Sequence, residues 1–343
     1  MGITFVDVVP TPEEIIDLYP LGAKRKEEKK IVDQEIADII TGKDRRLLVI
    51  IGPCSADQED SVLDYMYRLA EVNEKVKDRL CIVPRVYTNK PRTTGEGYKG
   101  LLHQPNPDKR PNMREGIAAI RKMHLHIINE TGLFSADEML YPENFPYLED
   151  LLSYHAVGAR SVENQQHRQV SSGINGPVGM KNPTSGDLTV MLNAIYAAQH
   201  PHEFIFRGQE VKTDGNPLAH AVLRGALNKH QQCQPNYHYE DLQLLYSMYE
   251  ERHLANPAVI VDTNHSNSNK QYMEQIRIAK EVLHSRRHSA VIHDFVKGLM
   301  IESYLEPGCQ KVGEHIYGRS ITDPCLGWKE SERLLYDLAE QAD

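Results

Sequence analysis

The chain has 343 residues, 25% of them charged and 40% hydrophobic, with 39 Lys and Arg against 48 Asp and Glu for a formal net charge of -9. That length accommodates one large core or two smaller ones, and the acidic balance excludes the extended basic face that a nucleic-acid partner requires. No apolar run approaches the ~20 residues of a membrane helix, the first seven residues lack a secretory pattern, and five cysteines without CxxC spacing argue against a disulfide framework or zinc ribbon, so a cytoplasmic globular protein is expected.

Residues 1–45 read as an N-terminal arm and helix. Residues 5–9 are β-prone, Thr11-Pro12-Glu13-Glu14 has the form of a helix start, and a charged helix over 24–40 stops at Gly42. From 46 to 343 strand-like runs at 47–51, 82–86, 134–138, 158–162, 178–181, 221–223, 258–262 and 298–302 alternate with helical stretches at 61–76, 113–131, 147–154, 187–199, 239–254 and 270–286. Eight strands alternating with helices predict an α/β fold of the (β/α)8 barrel type, one catalytic unit over 46–343. Residues 202–206 read as an extra strand, part of a β-hairpin inserted before barrel strand six.

In such a barrel the chemistry sits at the C-terminal ends of the strands. Strand one ends in Gly52-Pro53-Cys54-Ser55, and strand two delivers Arg85 and then the proline-stiffened turn Lys90-Pro91-Arg92-Thr93, suited to a phosphate. Strands three to six deliver Glu138, Arg160, Lys181-Asn182 and Arg224-Gly225; strand seven ends in Asp262-Thr263-Asn264-His265 and strand eight in Glu302-Ser303, with Asp323 on the following loop. Cys54, His265, Glu302 and Asp323 make a donor set for one divalent transition metal, with a thiolate and imidazole suiting zinc, cobalt, iron or copper and two carboxylates admitting manganese. Each also has a bland reading, a packed thiol or a capping carboxylate. Converging guanidinium forks match a compact ligand bearing phosphate and carboxylate; the competing reading pairs Arg85, Arg160, Lys181 and Arg224 with Glu138, Glu163 and Asp262.

These segments, in this order and together with Pro84-Arg85-Val86-Tyr87, Gly158-Ala159-Arg160, Gly179-Met180-Lys181-Asn182, His265-Ser266-Asn267 and Ser320-Ile321-Thr322-Asp323, resemble the class I 3-deoxy-D-arabino-heptulosonate 7-phosphate synthases of the shikimate pathway. The resemblance runs from about Leu47 to Leu335. It implies condensation of phosphoenolpyruvate with erythrose 4-phosphate and release of phosphate. Carried over by position, Cys54, His265, Glu302 and Asp323 are the metal ligands, Arg85, Lys90, Ala159, Arg160, Lys181 and Arg224 the phosphoenolpyruvate site, and Arg92 and Thr93 the grip on the aldose phosphate. Lys90, Glu138, Lys181 and His265 are the catalytic candidates, Lys90 as proton donor to the nascent alkoxide and Glu138, or else a metal-held water, as the group that positions or deprotonates the attacking water. A homodimer or homotetramer is implied as well.

The sequence departs from the bacterial pattern in places. Gly97-Tyr98-Lys99-Gly100-Leu101 carries an apparent one-residue insertion, Phe204-Ile205-Phe206-Arg207 brings phenylalanine into the inserted hairpin, and the arm before Pro10 is short. Weak or absent inhibition by aromatic amino acids is therefore expected. Rival readings are a sister synthase taking another aldose, a Schiff-base aldolase with Lys181 as nucleophile, and a non-enzymatic anion-binding barrel. Cys325 is read as core, the alternative being an inactivating disulfide to Cys54.

Overall fold

The computed structural model describes residues 2–92, 96–106 and 109–342. Eight strands are all parallel: β1 (Leu47–Gly52), β2 (Leu80–Pro84), β3 (Ala136–Glu138), β4 (Tyr154–Val157), β5 (Val178–Lys181) and, beyond a hairpin of β6 (His202–Phe206) and β7 (Gln209–Thr213), β8 (Ala219–Leu223), β9 (Val259–Asp262) and β10 (Val296–Glu302). Their order is β2-β1-β10-β9-β8-β5-β4-β3, and a parallel bridge from Arg85 to Ala136 joins the two ends into a barrel.

β1 is six consecutive buried residues because both faces are covered, the expectation for a parallel strand inside a ring of helices. Leu48 and Ile50 point inward to pack with Val83, Tyr154, Val222, Ile260 and Met300, while Leu47, Val49 and Ile51 join the outer layer with the helices. That layer is built from α3 (Glu59–Val76), α4 (Met113–Thr131), α5 (Gln165–Ser171), α6 (Leu188–Gln199), α7 (Tyr239–Glu251), α8 (Glu274–His288), α9 (Ala290–Phe295) and α10 (Trp328–Gln341). Their ends follow local chemistry: Asn112 caps α4 through the Glu115 N–H, and Gly132 ends it in the left-handed region at φ 74.

The arm contributes α1 (Pro12–Leu18), with a capping box from Thr11 to Glu14, and α2 (Ala23–Thr41), stopped by Gly42 at φ 80. Ile36, Ile39 and Ile40 of α2 are fully buried among the inward side chains of the barrel, so this helix closes the N-terminal mouth. The hairpin turns on Arg207 and Gly208, both at positive φ as a two-residue turn between twisted strands requires.

Several sequence expectations are corrected. The fourth strand spans Tyr154–Val157, not 158–162, because inward Tyr154 and Ala156 and outward His155 and Val157 alternate in the ladder, which leaves Gly158, Ala159 and Arg160 as the turn after it. No α-helix forms over 147–154: Pro142 and Pro146 leave a 3-10 helix, Pro142–Tyr147, followed by a turn. α8 starts at Glu274 rather than 270, since Asn269 and Lys270 adopt left-handed backbone that no helix admits. Residues 5–9 form no strand; β-propensity alone finds no edge to pair with, and Phe5 and Val6 stand exposed.

Candidate functional site

Parallel register fixes the C-terminal rim. Gly52 of β1 lies beside Glu302 of β10, and a Cβ on Gly52 would stand 2.3 Å from the Arg85 carbonyl oxygen, so only glycine lets β1 and β2 close here. The chain then turns through Pro53 to Cys54, whose backbone carbonyls both accept from the Arg85 guanidinium. Arg85 is fully buried, forms an ion pair with Glu302 at 2.9 Å, and lies over the Tyr87 ring at 3.7 Å.

A cavity of about 140 Å3 opens at this rim, lined by Cys54, Arg85, Lys90, Arg92, Glu138, Ala159, Arg160, Lys181, Arg224, His265 and Asp323, each singled out in the sequence, and by Pro91, Lys270 and Thr322. Its volume is that of about five waters, the scale of a small metabolite. Glu302 lies beneath its floor, within the donor cluster, and Thr93 lies outside the described residues.

One wall is acidic and sulfur-bearing. Cys54 Sγ, a Glu302 oxygen and an Asp323 oxygen lie within 4.8 Å of one another, and His265 Nε2 is 3.7 Å from Glu302 Oε1 and 3.9 Å from Asp323 Oδ2. These separations are too long for hydrogen bonds and match the edges between donors that each reach about 2.0–2.3 Å to a shared ion. Glu302 Oε1, the oxygen that meets Arg85, makes no hydrogen bond among the described residues, while Oε2 accepts from Asn264 Nδ2. The donor set therefore fits a divalent cation. Burial and Glu302 push the Cys54 thiol up, only partly offset by Lys90, whose Nζ donates to Sγ at 3.3 Å. Burial opposes ionisation of Glu302 and Asp323 as well, yet His265, with Arg85 for the one and Lys270 for the other, outweighs it and holds both low, Asp323 at about 2.

The opposite wall is cationic. Lys181 Nζ donates to Asp262 at 3.2 Å, so the ion-pair reading holds for this lysine, and Asp262 also lies 2.9 Å from His265 Nδ1. Burial would neutralise Asp262, but His265, Lys181 and Arg224 keep it well below the carboxylate range. Arg224 is different: its Nη1 is buried with no hydrogen-bond partner among the described residues, and burial together with Arg160 weakens its hold on a proton. Glu163, a proposed partner of this group, is exposed, and Arg85 pairs with Glu302 rather than Glu138. His265 holds φ 50, a left-handed conformation that costs a non-glycine residue about 1–3 kcal/mol and marks constrained sites.

Sequence reasoning missed the groups that support this wall. Gln275 of α8 clamps the Glu302 backbone from both sides at 2.9 Å, and Lys270 pairs with Asp323 at 2.8 Å. Buried Asp137 accepts from the N–H groups of Thr88, at 3.0 Å, and of Glu138, at 2.7 Å, and from the Thr88 hydroxyl. It thereby ties the segment leading to Lys90 to the strand that carries Glu138. Only its alternation with inward Ala136 and Glu138 could have hinted at this; Lys270 has no signal in the sequence.

Known proteins place this arrangement. The family model described as the DAHP synthetase I family matches residues 23–336. The Trp-sensitive phospho-2-dehydro-3-deoxyheptonate aldolase of Enterobacter agglomerans is 40% identical over 338 residues, 96% of this chain and 94% of the relative. The Tyr-sensitive enzyme of that name from Escherichia coli strain K12 is 38% identical over 348 residues, with 98% and 94% covered. The solved structure of the Francisella tularensis SCHU S4 phospho-2-dehydro-3-deoxyheptonate aldolase superposes with a TM-score of 0.92 at 32% identity, covering 99% of this chain and 98% of that one. A Thermotoga maritima counterpart, at 18% identity and a TM-score of 0.61 over 88% of this chain and 70% of its own, shares the fold. The chain belongs to the DAHP synthetase I family, the class I DAHP synthases of the shikimate pathway.

Proposed function

We propose that the protein condenses phosphoenolpyruvate with erythrose 4-phosphate and water to give 3-deoxy-D-arabino-heptulosonate 7-phosphate and phosphate. The observation that carries this reading is the two-sided cavity, with Arg85, Lys90, Lys181 and Arg224 set against Cys54, His265 and Asp323. Cys54, His265, Glu302 and Asp323 would hold one divalent ion, manganese, iron, cobalt or zinc. When bound, that ion supplies Lewis acidity for the aldehyde.

The cationic wall binds the enol phosphate, and its buried, unpartnered Arg224 Nη1 is a donor ready for a substrate oxygen. Ala159 and Arg160 lie at its edge, and Arg92, with Thr93, takes the phosphate of the aldose. As the methylene carbon attacks the aldehyde carbon, a C–C bond forms and the aldehyde oxygen takes the electron pair. Lys90 then protonates that oxygen. Water adds to the carbon bearing phosphate, and Glu138, with Oε1 buried and unpaired, accepts its proton. The hemiketal phosphate then loses phosphate, whose charge Arg160, Lys181 and Arg224 offset, while Asp262 keeps Lys181 and His265 in place.

The pairing of Lys181 with Asp262 speaks against a Schiff-base nucleophile, which needs a lysine desolvated without a counterion. We further propose a homodimer or homotetramer, a cytoplasmic location, and weak or absent inhibition by phenylalanine, tyrosine and tryptophan; no described helix is long and apolar enough to cross a membrane. The five cysteines are free, and Cys325 is core. The test is phosphate release with each aldose phosphate in turn, with and without a chelator. Release with erythrose 4-phosphate that the chelator abolishes supports the reading; equal release with arabinose 5-phosphate would redirect it to a sister synthase.

A further inference from the structure

Of the cations that line the catalytic cavity, three gather round one aromatic ring that takes no part in the chemistry described above. The Tyr87 ring centroid lies 3.7 Å from Arg85 Cζ and 5.6 Å from the Nζ of both Lys90 and Lys181. Among the described residues the other rings that meet a cation meet different ones. Tyr87 is 1% exposed and does not itself line the cavity. It belongs to the inward layer of the barrel, with Leu48, Ile50, Tyr154 and Met300.

Core filling alone does not account for a tyrosine here. An apolar side chain would fill the interior without burying a polar atom, whereas the Tyr87 hydroxyl finds only the Met300 sulfur, at 3.6 Å, a weak acceptor. Burial pushes the phenol well above its ordinary value, so the group is neutral and acts through its ring face. The main chain fixes that ring's origin: the Tyr87 carbonyl accepts from the Ala56 N–H at 3.0 Å, which joins it to the turn carrying Cys54.

The charges explain what such a face does. Arg85 meets Glu302 of β10 at 2.9 Å, Lys181 meets Asp262 of β9 at 3.2 Å, and Lys90 donates to Cys54 Sγ at 3.3 Å. These partners sit on different elements and draw the three cations apart, and mutual repulsion acts in the same sense. A ring face opposes both. It attracts each cation through its quadrupole without neutralising it, so the positive charge stays available to an anionic ligand. Arg85 Nε makes no hydrogen bond among the described residues, and the ring is the neighbour its guanidinium lies over.

We propose that Tyr87 is a positioning residue for phosphoenolpyruvate binding, its ring face holding Arg85, Lys90 and Lys181 as one converging set before substrate arrives. The inference rests on the condensation proposed above and extends it to a residue that touches no substrate atom. A set of cations organised in advance binds phosphate and carboxylate at a lower ordering cost, so thinning the ring's electron density weakens binding. Arg92, which takes the aldose phosphate, makes no contact of this kind with the ring, so the effect falls on one substrate.

The experiment is calorimetric titration of the metal-loaded full chain with phosphoenolpyruvate, with Tyr87 replaced in turn by phenylalanine and by phenylalanines bearing one, two and three ring fluorines. Fluorine draws electron density from the face with little change in volume. Tyr87→Phe should stay within about twofold of the unaltered affinity, and each added fluorine should weaken binding in a steady series that reaches about tenfold. Tyr87→Leu should raise KM for phosphoenolpyruvate by about tenfold with KM for the aldose phosphate unchanged. Should Tyr87→Leu fail to fold, the fluorinated series decides alone. Affinity that is flat or rises across the series, or a folded Tyr87→Leu protein in which both KM values shift together, reduces Tyr87 to core packing and overturns the proposal. An unaltered protein that does not bind phosphoenolpyruvate would overturn the condensation reading itself, and the positioning role with it.

Discussion

The two mouths of this barrel are built from the ends of the same eight strands and differ in almost every other respect. At the C-terminal mouth the inward positions are Arg85, Glu138, Lys181, Asp262 and Glu302, of which Arg85 with Glu302 and Lys181 with Asp262 are buried pairs beside a small cavity that Glu138 also lines. At the N-terminal mouth the interior is stopped by Ile36, Ile39 and Ile40 of α2. The lesson is that one end of each strand serves stability and the other serves chemistry. Placing charge in the core is tolerated only where partners or a ligand compensate it.

This contrast predicts a graded set of outcomes. The largest effect falls on Glu302, which meets a buried guanidinium and completes the donor cluster. Glu302→Gln should lower turnover by about 10²–10³-fold, reduce bound metal measured by elemental analysis, and destabilise the fold by about 3–5 kcal/mol as Arg85 loses its countercharge. Near-normal metal content would detach Glu302 from the cluster.

Next comes Asp137, which touches no lining side chain except through the backbone. Asp137→Asn should cut turnover by up to about 10²-fold by shifting Thr88 and Glu138, altering the pH profile of kcat as well as its height. An altered melting temperature with an unchanged pH profile would reduce it to a structural role.

At the other mouth the expectation reverses. Ile39→Ala should cost about 2–5 kcal/mol in denaturant unfolding with KM for either substrate unchanged. A large KM change there would mean that the two ends are coupled.

The smallest effect concerns pH. Burial pushes His220 down to about 4 and His155 down to about 3, so both stay neutral in the folded barrel while the unfolded chain protonates near 6.5. The unfolded state then binds more protons, and stability is lost as pH falls from about 6.5 towards 4 and, for His155, on towards 3. His220→Gln, which keeps a hydrogen-bonding group near Tyr154 Oη, should flatten part of that decline in melting temperature between pH 6.5 and 4. An unchanged slope would remove His220 as a source.

Much of the catalytic mouth was legible because strand ends leave fixed signatures: an apolar run followed at once by Cys54, Arg85, Lys181 or Arg224 says where a charge is delivered. The hairpin was legible from the strand-like run at 202–206; its turn on Arg207 and Gly208 and its second strand are supplied by the structure. The fourth strand was misplaced because Tyr154-His155-Ala156-Val157 is short and polar in part, whereas its inward and outward faces are defined only by neighbours β3 and β5. Lys270 and Gln275 could not be foreseen, because their roles follow from the left-handed turn after His265, which brings the start of α8 back under Glu302.

The most direct test of the C-terminal mouth is X-ray absorption at the metal edge of cobalt-loaded protein, compared with Cys54→Ser. One sulfur scatterer at about 2.3 Å beside nitrogen and oxygen donors at about 2.0–2.2 Å, lost in the variant, is the expected result. A shell of nitrogen and oxygen alone in the unaltered protein would contradict the cluster of Cys54, His265, Glu302 and Asp323 as the metal site.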